Sequence, residues 1–118
     1  MNLFMAYQQA FESSIEDFNQ GQSPQNLYQP IGYLMDLGGK RIRPFLTLMS
    51  GEAFEVSMKE AMGAAMAVEV FHNFTLMHDD IMDKASLRRG RATVHEKWDV
   101  NTAILSGDAM LIKAYQCL

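Results

Sequence analysis

Apolar residues recur at intervals of three and four along most of this chain, and that spacing limits it to packed amphipathic helices. In the first helix Leu3, Tyr7 and Phe11 fall on one face, and Gly21 and Pro24 end the pattern. Strand signals, in which apolar and polar residues alternate strictly, are nearly absent. The sequence therefore predicts a helical architecture, without repeats, low-complexity tracts or an interdomain linker.

Capping and turn residues divide the rest of the chain into four further helices. Gly38 and Gly39 close a short second helix, and Pro44 stands in the first turn of the third. Ser57 and Glu60 form a capping box ahead of the longest helix. The predicted helices span residues 27–37, 58 to about 84 and 102–118, and the third helix, with Pro44 in its first turn, ends at about residue 54. Residues 88–93 are predicted to be a loop.

The basic residues lie mainly in two clusters within an acidic chain. Ten of the 118 residues are Lys or Arg, and the net charge is −4. No basic residue precedes Lys40, and eight of the ten fall within 40–43 and 84–97. Local basic clusters of this kind indicate a small anionic ligand rather than a polyanion, so a nucleic-acid partner is not expected.

Cysteine usage and hydropathy indicate a cellular compartment. A single Cys117 excludes an internal disulfide and fits a reducing environment. The first ten residues carry no basic segment of the kind that begins a signal peptide. No apolar run approaches the ~20 residues that a membrane span requires. We therefore expect a cytoplasmic protein with no membrane span.

The most informative motif is HDDIMD at residues 78–83, followed by RRG at 88–90. On a helix of ~3.6 residues per turn, Asp79 and Asp83 stack one turn apart, whereas Asp80 points about 100° aside. Nothing nearby in the sequence neutralises the carboxylates or the guanidiniums. Oxygen ligands on a rigid helix, with coordination positions left open, suit Mg²⁺ completed by substrate phosphates.

A second polar cluster, GGKRIRP at residues 38–44, places two glycines and three cations at a helix start. Free backbone N–H groups there favour an anion. The cluster is not a nucleotide-binding P-loop, because the required spacing and the preceding strand are missing. Taken alone it fits equally a phosphate cradle or a glycine cap followed by a solvated basic turn. The acidic helix and the second basic cluster favour the cradle.

Five motifs, in this order and spacing, resemble the N-terminal part of the trans-isoprenyl diphosphate synthases, the polyprenyl synthetase family. They are GGKRIRP at 38–44, EVFH at 69–72, HDDIMD at 78–83, RRGRATVH at 88–95 and AILSGD at 103–108. The resemblance covers residues 27–118. It implies an all-α bundle, the isoprenoid synthase fold, whose acidic helix lines a deep central cavity, and it implies a homodimer. The implied reaction is head-to-tail condensation of isopentenyl diphosphate with an allylic diphosphate to a short-chain product, geranylgeranyl or farnesyl diphosphate.

The resemblance also implies which residues bind isopentenyl diphosphate. Lys40 and Arg43 correspond to its clamp, and His72 and Arg89 join them. Arginine suits such a site because its planar group contacts phosphate in a bidentate manner.

Another set of residues is implied for the allylic diphosphate. Asp79 and Asp83, with Asp80 alongside, correspond to the Mg²⁺ ligands, and Arg88 corresponds to a direct contact. With Lys40 they form the predicted catalytic set, because breaking the allylic C–O bond leaves negative charge that cations stabilise. The resemblance implies that the released diphosphate acts as the base, so no side chain is assigned to proton removal.

Phe74 is predicted to influence product length. It precedes Asp79 by five residues, roughly 7.5 Å along the helix, and resembles the ring that stops chain growth in short-chain synthases. The small Thr75 beside it brings the pattern closer to geranylgeranyl-type than to bacterial farnesyl-type enzymes. We expect Phe74→Ala to lengthen the product.

The remaining polar or aromatic side chains near these motifs are predicted to be structural. His78 would orient the neighbouring carboxylates. His95 and Trp98 would pack after the loop, and Arg41 and Arg91 would be solvated.

The family carries a second Asp-rich motif further along, which these 118 residues lack. The apolar pattern of the last helix also still runs at Leu118. We therefore expect residues 1–118 to be the N-terminal part of one synthase domain, inactive alone. Two alternatives remain. A non-catalytic synthase-like subunit bound to a full-length partner predicts binding without turnover, and an unrelated helical metal-binding module predicts metal binding without diphosphate affinity.

Overall fold

The computed structural model describes residues 2–118, which form six α-helices and one short hairpin. The elements are α1 (Leu3–Asn19), α2 (Gln25–Asp36), α3 (Ile42–Ala53), α4 (Met58–Met82), β1 (Leu87–Arg88), β2 (Arg91–Ala92), α5 (Val94–Lys97) and α6 (Val100–Gln116). The all-α class is confirmed. Ser57 is confirmed as the N-cap of α4, because its Oγ accepts a hydrogen bond from the Glu60 backbone N–H at 3.2 Å. The other half of the predicted capping box differs, since the Ser57 hydroxyl donates to the Glu60 carboxylate at 3.0 Å.

Two predicted helix starts were wrong. Helix α2 begins at Gln25 instead of residue 27, directly after Pro24. Helix α6 begins at Val100 instead of residue 102, because the Asp99 carboxylate accepts a hydrogen bond from the Thr102 backbone N–H at 2.7 Å and caps the helix. The short helix α5 was not predicted.

The predicted loop at 88–93 is a β-hairpin. Strands β1 and β2 pair antiparallel, with Arg88 opposite Arg91. The two residues of the turn, Arg89 and Gly90, have φ values of 51° and 77°. Positive φ at both turn positions is typical of the tightest hairpins, whose twist matches that of the paired strands. The hairpin turn therefore fixes the backbone from which the Arg89 side chain extends.

Helix α4 lies at the centre of the fold, packed against α6, α3, α1 and α2. Its Val70 and Met77 join Phe11, Met35 and Met110 from three other helices in one buried apolar core. Each such side chain contributes roughly 1.5–3 kcal/mol through its removal from water. The core therefore holds α4 as a rigid support for the acidic motif. Across residues 2–118, none of the helices has the length and apolar composition needed to cross a membrane.

Helices α4 and α6 approach closely where His78 meets Gly107. The His78 Nε2 lies 3.1 Å from the Ile104 carbonyl oxygen of α6. A Cβ atom added at Gly107 would stand 2.3 Å from that nitrogen. His78 thus joins the two helices, which agrees with a structural role. Its Nε2 contacts α6, so the prediction that His78 orients the carboxylates of the acidic motif is not supported.

We expect Gly107→Ala to lower the free energy of unfolding by about 1–3 kcal/mol, because the added methyl group must displace the His78 ring or part the helices. Urea unfolding measures the effect. Gly32→Ala is the matched control, since a Cβ there makes only ordinary contact, 3.6 Å from Asn19, and alanine favours a helix. A Gly107→Ala protein as stable as the parent would show that this close approach is unimportant.

Candidate functional site

The acidic motif divides into two exposed carboxylates and one buried carboxylate. Asp79 and Asp83 are exposed at the C-terminal end of α4, whereas Asp80 is 5% exposed. Within residues 2–118, neither exposed side chain forms a salt bridge or a side-chain hydrogen bond. The pair therefore remains open to a ligand.

Asp80 is bound by Arg88, contrary to the prediction that nothing nearby neutralises the two groups. The Arg88 Nε and Nη2 donate to the two Asp80 carboxylate oxygens, each at 2.8 Å. This hydrogen bonding raises the pKa of Arg88 above its ordinary value, so the guanidinium stays charged. The hairpin folds back onto α4 and brings the two together, which the sequence spacing alone did not reveal.

The exposed pair fits part of a magnesium site. Asp79 and Asp83 offer hard oxygen ligands one helical turn apart. In the described range, 2–118, no three His, Cys, Asp or Glu side chains group closely enough to form a metal site by themselves. Magnesium commonly binds one or two carboxylates and fills its other positions with water and substrate phosphates. The two aspartates are therefore compatible with Mg²⁺, while metal binding by Asp80 remains a prediction.

Four predicted substrate-binding residues meet in one cavity of about 480 Å³. Lys40 and Arg43 flank the start of α3, His72 extends from α4, and Arg89 comes from the hairpin turn. The Arg89 guanidinium donates to the Gly38 carbonyl oxygen. Basic groups separated by up to 49 residues thus line a single concave surface, which we call the basic cradle.

Gly39 makes room for the arginine of the cradle. Its φ of 135° lies in a region that L side chains rarely adopt, and a Cβ there would stand 2.8 Å from the Arg89 Nη2. The glycine pair predicted as a helix cap therefore also admits the Arg89 side chain.

The prediction for Arg41 was wrong. Its side chain is buried, with only 6% of the residue exposed, rather than solvated. The Nη2 donates to the Met35 carbonyl oxygen at 2.7 Å, and the Nη1 lies 3.7 Å from the carboxylate of buried Glu69. Glu69 itself was not predicted as a site residue. The sequence did contain a signal for its burial, because Glu69 interrupts the apolar pattern of the longest helix. A charged residue in such a position is buried only when it is paired.

His72 is held as a neutral ring. Burial, and next the positive charge of Arg43, lower the pKa of His72 below its ordinary 6.5. The Arg43 Nη1 lies 3.4 Å from the His72 Nε2. Since a guanidinium can only donate, the imidazole nitrogen must accept. His72 therefore orients Arg43 near pH 7 without adding another positive charge.

We expect the His72 ring to titrate with a midpoint below 6.5 in NMR spectra of the ligand-free chain. Adding inorganic pyrophosphate should raise the midpoint, because a bound anion favours the imidazolium. Arg43→Ala should raise it as well by removing a nearby positive charge. A ligand-free midpoint above 6.5 would contradict this account of the site.

An apolar groove of about 430 Å³ adjoins the basic cradle. Its lining residues are Arg43, Ala67, Val68, Phe71, His72, Thr75, Ala114, Tyr115 and Leu118. Arg43 and His72 line both the basic cradle and the apolar groove, so the polar cavity continues into the apolar groove. Phe74 packs beside the groove, with its ring centroid 5.6 Å from that of Phe71 and 4.9 Å from that of His78. Its influence on product length remains a prediction.

The fold and the site define an all-α bundle that pairs an acidic helix end with a basic cavity. Residues 24–118 match the family model described as polyprenyl synthetase. This chain belongs to the polyprenyl synthetase family.

Named relatives and a solved structure agree with that assignment. The geranylgeranyl pyrophosphate synthase of Geoglobus acetivorans is 45% identical over 104 residues, covering 88% of this chain and 33% of that protein. The farnesyl diphosphate synthase of Micrococcus luteus is 38% identical over 109 residues, covering 91% and 37%. A crystal structure of a geranylgeranyl pyrophosphate synthase matches with a TM-score of 0.94 and 57% identity, over 99% of this chain and 36% of that one. The chain spans about a third of the length of these relatives.

Proposed function

We propose that this chain supplies the isopentenyl diphosphate clamp and the first metal-binding helix of a trans-prenyltransferase that makes geranylgeranyl or farnesyl diphosphate. One observation carries the proposal: a single face of α4 presents His72 to the basic cradle and, two turns later, the open pair Asp79 and Asp83. A diphosphate in the cradle and a second one at the acidic end would then lie along one helix.

The charged residues of the two sites favour ionisation of an allylic diphosphate. Asp79 and Asp83 would hold Mg²⁺, which supplies Lewis-acid stabilisation of the leaving diphosphate when bound. Arg88, kept charged and oriented by Asp80, adds a fixed cation for the same leaving group. Lys40, Arg43 and Arg89 hold the other diphosphate, and the neutral His72 orients Arg43. These residues position the two substrates, and we assign none of them to proton removal.

The apolar groove is suited to a growing hydrocarbon chain, because it continues from the cradle along α4. We expect Phe74→Ala to lengthen the product, since removing the ring lets the neighbouring Phe71 recede from the groove. Chromatography of the prenyl products measures the effect. Phe54→Ala, at an 83% exposed position, is the control. An unchanged product distribution in Phe74→Ala would contradict the role of this ring.

A homodimer, which the resemblance implies, is also part of the proposal. Large apolar side chains on α6 that other described residues leave exposed support it, including Leu105 at 58% and Ile112 at 61%. Sedimentation equilibrium tests it, and a monomer across the micromolar range would contradict it.

A chimera tests the proposed function directly. In this chimera the chain replaces the aligned segment of the Geoglobus acetivorans synthase, which supplies the remaining two thirds of that protein. We expect the chimera to condense isopentenyl diphosphate with an allylic diphosphate when Mg²⁺ is present, and the 118-residue chain alone to be inactive. A folded chimera that binds both substrates without turnover would favour the non-catalytic subunit instead. Membership of the polyprenyl synthetase family already excludes the other alternative, an unrelated helical metal-binding module.

A further inference from the structure

The buried cation beneath the basic cradle has no role in the functions proposed above. Arg41 lies between Lys40 and Arg43 in the sequence, yet it contacts the interior while they are exposed. Arg41 and Glu69 also border the cradle cavity, but their side chains are only 4% and 5% exposed, so they offer almost no surface to a ligand. We propose that Arg41 and Glu69 are positioning residues, which fix the shape of the basic cradle without touching the diphosphate. The inference rests on the proposed diphosphate clamp.

The Arg41 side chain joins three helices. Its Nη2 donates to the Met35 carbonyl oxygen in α2 at 2.7 Å, and its Nη1 lies 3.7 Å from the Glu69 carboxylate in α4. Its Nε lies 3.5 Å from the Glu12 carboxylate in α1. The guanidinium also lies 5.6 Å from the ring centroid of Phe11. Only the Nη2 forms a hydrogen bond, and the buried Nε and Nη1 contact the two carboxylates at ion-pair distance without hydrogen bonds. One hydrogen bond and two ion pairs thus restrain the guanidinium.

The Arg41 backbone transmits that restraint to the cradle. Its φ of 55° and ψ of 33° are left-handed, a conformation that residues other than glycine rarely adopt. Arg41 is the N-cap of α3, so its backbone conformation sets the direction of the chain at Lys40, just before the helix. It also sets the orientation of the first helical turn, which carries Arg43. The side-chain contacts therefore maintain a backbone geometry that the chain would otherwise relax.

Glu69 is held in turn by its own helix. It is 4% exposed, and its carboxylate accepts a hydrogen bond from the Asn73 Nδ2 at 2.8 Å. Because Glu69 and the cradle residue His72 lie on the same rigid helix, the Arg41–Glu69 contact relates the start of α3 to α4. The distance between Arg43 on α3 and His72 on α4 therefore depends on how the Arg41–Glu69 contact holds the two helices together.

Two net-neutral changes separate positioning from overall charge. The double variant Arg41→Met/Glu69→Gln removes one charge of each sign, and Arg41→Lys keeps the positive charge but loses the planar fork. Binding of inorganic pyrophosphate is measured by calorimetry without divalent metal, so the acidic helix end does not contribute. Circular dichroism reports helix content. The matched control is Lys59→Met/Glu55→Gln, an exposed pair whose lysine lies about 20 Å along α4 from His72.

We expect both Arg41 variants to keep the helical signal and to bind pyrophosphate about tenfold more weakly, while the control binds like the parent. Unchanged affinity in the Arg41 variants would overturn the inference and leave the proposed clamp intact. A parent chain that binds no pyrophosphate would overturn both. Loss of the helical signal in both Arg41 variants would also overturn the inference, because the pair would then maintain the fold rather than one cavity.

Discussion

Asp79→Asn and Asp83→Asn, each made in the chimera, are expected to lower the rate of prenyl transfer by roughly 10²–10³-fold. Each substitution keeps the side-chain volume and removes one of the two open carboxylates at the end of α4. An amide oxygen is a poorer magnesium ligand than a carboxylate, so less of the charge on the leaving diphosphate is stabilised. The initial rate at saturating substrates, followed as a function of Mg²⁺ concentration, is the measurement.

Asp17→Asn is the control for this prediction, because Asp17 is an exposed acid on α1 and the substitution changes net charge equally. Its rate should match that of the unmodified chimera. Full activity in both Asp79→Asn and Asp83→Asn at every metal concentration would exclude these carboxylates as metal ligands. It would leave the family membership unaffected, since that depends on sequence and fold.

Arg41→Met as a single substitution is expected to lower the free energy of unfolding by about 3 kcal/mol. It leaves the Glu69 carboxylate buried and without its cation, and an uncompensated buried charge is costly. We expect the lower end of the range for buried pairs, because the closest Arg41–Glu69 approach is 3.7 Å. Glu12 contributes little to this loss, since its side chain is 49% exposed. Urea unfolding followed by circular dichroism measures the change.

Adding Glu69→Gln to Arg41→Met should restore most of the lost stability. The glutamine keeps an acceptor for the Asn73 amide and no longer requires a positive partner. The comparison of single and double variants thus isolates the unpaired charge from the loss of packing. A double variant that is less stable than Arg41→Met would show that Glu69 contributes to the fold independently of Arg41.

Local sequence was a reliable guide to the helices but not to the hairpin. The predicted start of α4 at Met58 is confirmed because the Ser57 N-cap and the apolar spacing are properties of neighbouring residues. The hairpin was missed because its strands are two residues long, too short for any alternating pattern to appear. The available signal for the hairpin was Gly90 directly after Arg89, because glycine favours the positive φ of a tight turn. The prediction placed both residues in a loop.

The helical class, the family and the set of charged residues could be predicted from the order of residues along the chain, because spacing along a helix follows from its fixed geometry. Which of those charged side chains remain accessible to a ligand depends on how the helices and the hairpin pack together. Folding of the hairpin onto α4 pairs Arg88 with Asp80, and packing of α3 between other helices buries Arg41 against Glu69. Burial and pairing depend on residues that are far apart in the sequence. Two arginines close together in the sequence can therefore differ in role, as exposed Arg43 lines the cradle whereas buried Arg41 contacts the interior.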